Sequence, residues 1–99
     1  MVLWPVFSED DFELRLRAAL ERRDAARSLR ELFDALTEQP PSRQRDARMA
    51  LVALALAEHG GGKGAERWFV TGYSYARTSR DPEVRARAER LRERFGSWW

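Results

Sequence analysis

The amino-acid sequence predicts an all-α fold of about five helices, arranged as two helix-turn-helix repeats followed by a C-terminal capping helix. Apolar residues recur at the three- and four-residue spacing of helix faces. Glycine and proline cluster at a few places, which would separate the helices. The 99-residue chain is 43% hydrophobic, which suits one modest core, so we expect a single helical domain over residues 1–99. The expected helices cover about residues 9–22, 25–38, 43–59, 64–79 and 82–95.

The first helical hairpin, residues 9–39, is inferred from a change in the direction of its apolar face. No glycine or proline interrupts residues 8–39. At about 100° per residue, however, the apolar face shifts by more than a quarter turn between Leu20 and Ala25. One straight helix could not bury both faces against the same core. We therefore expect a break at residues 22–24.

Capping residues and prolines mark the ends of several predicted helices. Ser8, followed by acidic residues, is suited to begin the first helix, and Asp24 the second, because short polar side chains bond free backbone N–H groups. Asp81 precedes a proline, which is the preferred order at the start of the fifth helix. Pro40 and Pro41 end the first hairpin, because proline cannot continue a helix.

The second helical hairpin, residues 43–79, contains the most apolar segment of the sequence. Residues 49–57 are apolar on every side of a helix, so this helix should lie in the middle with others around it. The next helix has one face of small and aromatic residues: Ala65, Trp68, Phe69, Gly72, Tyr73 and Ala76. The last helix, residues 82–95, has only a narrow apolar stripe: Val84, Ala88, Leu91 and Phe95. A narrow stripe with a charged remainder is typical of a terminal, capping helix.

The two hairpins are similar to each other at an offset of 37 residues. The pattern Phe12…Ala19…Ser28…Leu32…Ala35…Pro40 returns in looser form as Met49…Leu56…Ala65…Phe69…Gly72. In both, a helix is followed by a short turn and by a second helix with small and aromatic residues at matching places. Such self-similarity indicates a repeat architecture.

Over about residues 9–79 the pattern resembles the tetratricopeptide repeat family of helix-turn-helix arrays. A unit of that family has a large residue early in its first helix, a small residue opening its second helix, then an aromatic, another small residue and a final proline. The first unit matches at Phe12, Ser28, Ala35 and Pro40, with Leu32 at the aromatic place. The second unit matches over residues 51–60 and 65–69.

The sequence departs from that family at four places. It has no early tryptophan, no Leu-Gly pair and no tyrosine in the first helix of its second unit, and Pro82 comes about five residues late. The resemblance implies a short right-handed array whose inner face holds a peptide or a partner helix. An unrelated five-helix bundle with the same hairpins is the alternative.

The sequence contains no constellation that would carry catalysis, a cofactor or a metal ion. There is no cysteine, and His59, the only histidine, suits the C-terminal end of a helix. Lys63 lies in a glycine-rich turn, but Gly64 follows it where a phosphate loop requires a hydroxyl residue. The acidic residues at 9–13 favour a helix start. We therefore expect no enzyme activity, no cofactor and no metal site.

Charge is unevenly distributed along the chain. Residues 1–41 carry a formal charge of −3 and residues 42–99 carry +5. Seven arginines fall within the 18 residues 77–94: Arg77, Arg80, Arg85, Arg87, Arg90, Arg92 and Arg94. The spacings Arg85–Glu89 and Glu89–Arg92 favour a salt-bridged solvent face. Contact with phosphates or with an acidic partner is the alternative, so nucleic-acid binding is the second functional hypothesis.

Aromatic residues outside the core faces are the candidates for partner contact, because exposed aromatics often mark interfaces. Tyr75 lies off the core face of its helix, and two tryptophans follow a glycine at the end of the sequence. The tryptophans either dock onto the domain or form an association surface. The predicted partner-binding residues are Tyr75, Arg77, Arg80, Trp98 and Trp99.

Together these features favour a non-enzymatic protein-interaction module that binds a peptide or a partner helix, or that forms a homodimer through apolar end surfaces. The longest apolar run, residues 49–57, is shorter than the roughly 20 residues needed to cross a bilayer, so no membrane partner is expected. Residues 2–7 are apolar but lack the basic region of a signal peptide, and acidic residues follow them. We therefore expect a cytoplasmic protein.

Overall fold

The computed structural model describes residues 9–59 and 64–94, and these residues form five α-helices. The helices are α1 (Glu9–Glu21), α2 (Ala25–Thr37), α3 (Arg43–His59), α4 (Ala65–Ser79) and α5 (Pro82–Arg94). Neither described range contains a strand. The prediction of an all-α fold with about five helices is confirmed, and each helix end lies within a residue or so of the expected position.

The break between α1 and α2 lies where the apolar face changes direction. Residues 22–24 form a turn, although glycine and proline are absent from it. Asp24 caps α2: its Oδ1 accepts a hydrogen bond from the backbone N–H of Arg27 at 3.4 Å. Its carbonyl accepts the first helical bond, from the N–H of Ser28, at 3.1 Å. The predicted break and the predicted cap are both confirmed.

α3 lies in the middle of the fold. It packs against α2 and α4 and also contacts α5. Its buried residues are Arg48, Met49, Ala50, Val52, Ala53, Leu54, Ala55, Leu56 and Ala57. One core cluster joins α3 to α1 and α2 through Phe12 and Leu29, and a second joins it to α4 and α5 through Phe69 and Leu91. The all-round apolar pattern therefore correctly predicted the central helix.

α3 and α4 approach each other most closely at Gly72. A Cβ atom added there would lie 2.9 Å from Cγ and Cδ2 of Leu54 and 3.1 Å from its backbone nitrogen. Atoms that are not bonded to each other do not normally come so close, and a backbone nitrogen cannot move aside as a side chain can. The glycine is therefore what allows the two helices to pack at this distance.

α5 is held by its apolar stripe and by polar contacts at its two ends. Val84, Ala88 and Leu91 are buried, as predicted, while Phe95 lies outside the described residues. At the N-terminal end, Oδ1 of Asp81 accepts hydrogen bonds from the N–H groups of the second and third residues after it, at 2.9 and 3.2 Å. This confirms the predicted helix start.

Near the C-terminal end of α5, Glu58 of α3 interacts with two arginines. Its Oε1 accepts a hydrogen bond from Arg87 at 3.1 Å, and its Oε2 lies 3.8 Å from Nη1 of Arg94. Both arginines therefore tie α5 to the end of the central helix.

Candidate functional site

A groove of about 1090 Å³ lies between α1, α3 and α5, and along α5 it extends from Pro82 to Arg90. α3 contacts both other helices, α1 through Arg48 and α5 through Glu58, so it lies between them. The apolar lining residues are Phe12, Leu16, Leu20, Ala47, Leu51, Pro82 and Val84. The charged lining residues are Arg17, Arg43, Arg48, Arg80, Arg87, Arg90, Glu13, Asp81 and Glu83. Six arginines against three carboxylates make the groove positively charged.

The apolar side of the groove is supplied by α1. Phe12, Leu16 and Leu20 recur every four residues, which places them in one row along the helix. At 1.5 Å per residue this row is about 12 Å long. Phe12 is buried, but Leu16 and Leu20 are only half-buried and keep part of their surface accessible from the groove. α1 therefore offers an incompletely covered apolar wall.

The opposite side of the groove carries several arginines, together with the carboxylates of Asp81 and Glu83. Arg80 lies in the turn between α4 and α5, Arg90 lies on α5, and Arg43 begins α3. Within residues 9–59 and 64–94, the side chains of these three arginines and of Arg17 form no ion pair, whereas Arg87 pairs with Glu58. Guanidinium groups without a carboxylate partner at the edge of a groove are suited to bind an incoming anion.

Arg80 has an unusual backbone conformation for an arginine. Its φ and ψ are 58° and 22°, in the left-handed region, and it is the one non-glycine residue with positive φ in the described part of the chain. It ends α4, where its N–H donates a hydrogen bond to the carbonyl of Arg77 at 3.3 Å. Glycine is the preferred residue for this conformation at a helix end, because a Cβ atom makes it unfavourable. Folding alone would therefore favour glycine at position 80.

Arg48 is buried beneath the apolar wall. Only 6% of its surface is exposed, and the central carbon of its guanidinium lies 5.4 Å from the centre of the Phe12 ring. This cation–π contact joins α3 to α1. Arg48 is not among the partner-binding residues predicted from the sequence. Its position directly before the apolar segment 49–57 was the available signal that its side chain would be enclosed.

Of the three predicted partner-binding residues that the structure describes, Arg80 alone lines the groove. Arg77 is exposed but does not border it. Tyr75 is half-buried, and its ring packs edge-on against Phe33 of α2 with 6.2 Å between ring centres, so it contributes to the packing of α2 on α4. Trp98 and Trp99 lie outside the described residues.

A second polar cluster lies outside the groove, between α4 and α5. The hydroxyl of Tyr73 donates a hydrogen bond to Oε2 of Glu89 at 2.5 Å, and Arg92 lies 3.5 Å from the other carboxylate oxygen. The hydrogen bond from Tyr73 outweighs desolvation, which acts in the opposite direction, and together with the charge of Arg92 it lowers the pKa of Glu89 below its ordinary value of 4.5. The predicted Glu89–Arg92 pair is confirmed. Arg85 contributes only a weaker charge interaction with Glu89 and forms no salt bridge with the described residues.

No group of three or more histidine, aspartate or glutamate side chains in the described ranges could hold a metal ion. Among the five helices, none has both the length and the apolar character of a membrane-crossing segment. No family model matches the chain, and neither curated proteins nor solved structures gave a match. Any functional assignment therefore depends on the groove and its lining residues.

Proposed function

We propose that this protein is a non-enzymatic interaction module that binds a peptide or a partner helix of another protein in the groove between α1, α3 and α5. The lining of the groove carries the proposal. One wall is a row of partly accessible apolar residues, and the other holds arginines that have no ion-pair partner among the described residues. A bound segment would cover the apolar row and neutralise the arginines.

The tetratricopeptide-like interpretation is part of this proposal. In it, α1–α2 and α3–α4 are the two units, and α5 caps the second unit. The packing of each helix against the next one along the chain supports this interpretation. So does the position of the groove, because it borders α1 and α3, the first helices of the two units, and the capping helix α5.

Nucleic-acid binding is the second candidate function, and the arginines of the groove favour it. Two observations weigh against it. Half of the groove lining is apolar or acidic, and three arginines of α5 are already engaged by carboxylates: Arg87, Arg92 and Arg94. A phosphate-binding surface would be expected to present an uncompensated basic stripe.

Site-specific photo-cross-linking in cells tests this function. A photo-reactive phenylalanine analogue replaces Gln44, which is exposed and lines the groove. As a matched control it replaces Ser74, which is exposed on α4 and does not line the groove. We expect a discrete protein adduct from position 44 and none from position 74.

The other outcomes of this experiment are equally informative. An adduct of twice the chain mass at position 44 would identify the partner as a second copy. An adduct that nuclease treatment removes would favour the nucleic-acid hypothesis. Equal adducts at both positions, or no adduct at either, would contradict the assignment of the groove as a binding site.

A further inference from the structure

The size of the groove fits a short piece of α-helix. With its side chains an α-helix is about 10–12 Å across, so a volume of 1090 Å³ corresponds to about 10–14 Å of helix, or roughly two turns. The apolar row from Phe12 to Leu20 has nearly the same length, about 12 Å. Two turns of a helix lying along α1 would therefore fill the groove and cover the whole apolar row.

The two walls also constrain the chemistry of that helix. The side facing α1 has to be mainly apolar, because it meets the hydrocarbon surface of Leu16 and Leu20, although Glu13 and Arg17 of α1 also line the groove. The side facing the α4–α5 turn meets Arg80 and Arg90, and neither has a carboxylate within 4.0 Å among the described residues. Asp81 and Glu83 also line the groove there, but the arginines of the whole lining outnumber its carboxylates. A helix with an apolar row beside an acidic row would satisfy both walls at once. A basic helix would be repelled by one of them.

The backbone of Arg80 provides an independent argument. Glycine would relieve the left-handed conformation there. The Arg80 side chain forms no ion pair with the described residues that would explain its presence through folding. It does line the groove, where a long cationic side chain can reach a bound carboxylate. An unfavourable conformation at such a position indicates a residue retained for binding rather than for stability.

We propose, on the basis of the function proposed above, that the groove recognises an amphipathic helix with an acidic face, and that Arg80 determines this specificity by pairing with its carboxylates. Arg43 and Arg90 add to the positive field along the same wall. Arg80 therefore contributes to affinity while it lowers the stability of the free protein. These two effects can be separated by substitution.

The test uses the full chain and three labelled helical peptides. The peptides share one leucine row and differ only in the adjacent row, which carries glutamate, glutamine or lysine. We expect the glutamate peptide to bind at least about tenfold more tightly than the glutamine peptide, because charge-assisted hydrogen bonds are about twice as strong as neutral ones. Binding of the lysine peptide should be weakest. Fluorescence anisotropy at two salt concentrations measures all three.

Arg80→Gly gives the decisive comparison. We expect it to lose most of the preference for the glutamate peptide while its melting temperature stays the same or rises. The matched control is Arg77→Gln, which removes the same charge from an exposed position outside the groove and should leave affinity unchanged. A lower melting temperature in Arg80→Gly, or equal loss of affinity in both variants, would overturn the role of Arg80.

Failure of this inference is distinguishable from failure of the groove function. If the three peptides bind equally well and Leu16→Glu abolishes binding of all three, the groove binds protein segments but does not select acidic ones. If a mixed-sequence DNA duplex displaces the glutamate peptide and loses affinity in Arg80→Gly, the arginines serve nucleic acid and the inference is wrong. If no peptide binds, the acidic-helix inference fails, and the cross-linking experiment separately decides whether the groove binds a partner protein.

Discussion

Nine residues of α3 are buried, whereas α1 buries only Phe12 and Ala19 among its described side chains and leaves Leu14 61% exposed. α3 has neighbours on several sides, and α1 packs mainly on α2. The groove lies between these two unequal helices, with one border in the best-packed part of the fold and its apolar wall on the least buried helix. Binding sites are commonly built from such less stable elements, because ligands need surface that the fold has not already covered.

Matched phenylalanine truncations should give the largest difference between the two regions. Phe69 is completely buried between α3 and α4, so Phe69→Ala should reduce the free energy of unfolding by about 3–5 kcal/mol. Phe12→Ala removes the same ring from α1. Because α1 packs mainly on α2, we expect it to unfold locally while the centre stays folded, and the expected loss is therefore smaller, below about 3 kcal/mol. Urea denaturation measures both values.

Hydrogen exchange should show where each phenylalanine substitution acts. In Phe12→Ala we expect faster exchange in α1 and nearly unchanged exchange in α3, and in Phe69→Ala faster exchange in all helices. A uniform acceleration in both variants would show that α1 and the centre unfold as one unit. Our expectation that α1 unfolds more readily than the centre would then be wrong.

Two glycine substitutions test how closely α3 and α4 pack in the centre of the fold. Gly72→Ala places a methyl group 2.9 Å from the Leu54 side chain and 3.1 Å from its backbone nitrogen, and should destabilise the protein by about 1–3 kcal/mol. In Gly64→Ala the added methyl group lies 3.8 Å from Trp68, an ordinary contact, and we expect little change or a small gain in stability. Thermal denaturation followed by circular dichroism compares them. Equal melting temperatures would contradict the close approach of α3 and α4.

The smallest expected effect concerns the hydrogen bond between Tyr73 and Glu89, which joins α4 to α5 at the surface. Tyr73→Phe removes the hydrogen bond to Glu89, so the pKa of Glu89 should rise toward its ordinary value of 4.5. A carboxyl group with a lowered pKa in the folded state stabilises that state above pH 4.5, and this contribution is lost as the pH falls through the lowered pKa. Wild type and Tyr73→Phe should therefore differ slightly at neutral pH and converge in acid.

An NMR titration of the Glu89 carboxyl carbon measures this shift directly. Tyr75→Phe is the control, because Tyr75 packs on Phe33 and its hydroxyl forms no hydrogen bond with Glu89. The same pKa in wild type and Tyr73→Phe would show that Arg92, rather than the tyrosine, sets the charge state of Glu89.

The sequence predicted those features of the fold that depend on neighbours along the chain. The phase change between Leu20 and Ala25 located the turn, and Asp24 and Asp81 cap the helices that follow them. These signals are local, because a cap acts within three residues and a helix face repeats every three or four. The apolar segment 49–57 predicted the central helix for the same reason.

The features that the sequence did not reveal depend on contacts between distant residues. Tyr75 lies off the core face of α4 when that helix is considered alone, but α2 brings Phe33 against it. The groove joins Leu16 to Arg80 across 64 positions, and no periodic pattern connects them. The backbone conformation of Arg80 was equally hidden, because glycine, and not arginine, is the residue expected at a left-handed helix end.

The contact between Gly72 and Leu54 also constrains how this sequence can diverge. Position 72 lacks room for any side chain while leucine occupies position 54, and the nearby backbone nitrogen keeps it crowded even after the leucine is shortened. Substitutions at these two positions should therefore be correlated, and position 54 should accept more of them than position 72. Related chains would be expected to vary at 54 while glycine persists at 72, and alanine at 72 should occur only together with a small residue at 54 and a wider spacing of the two helices.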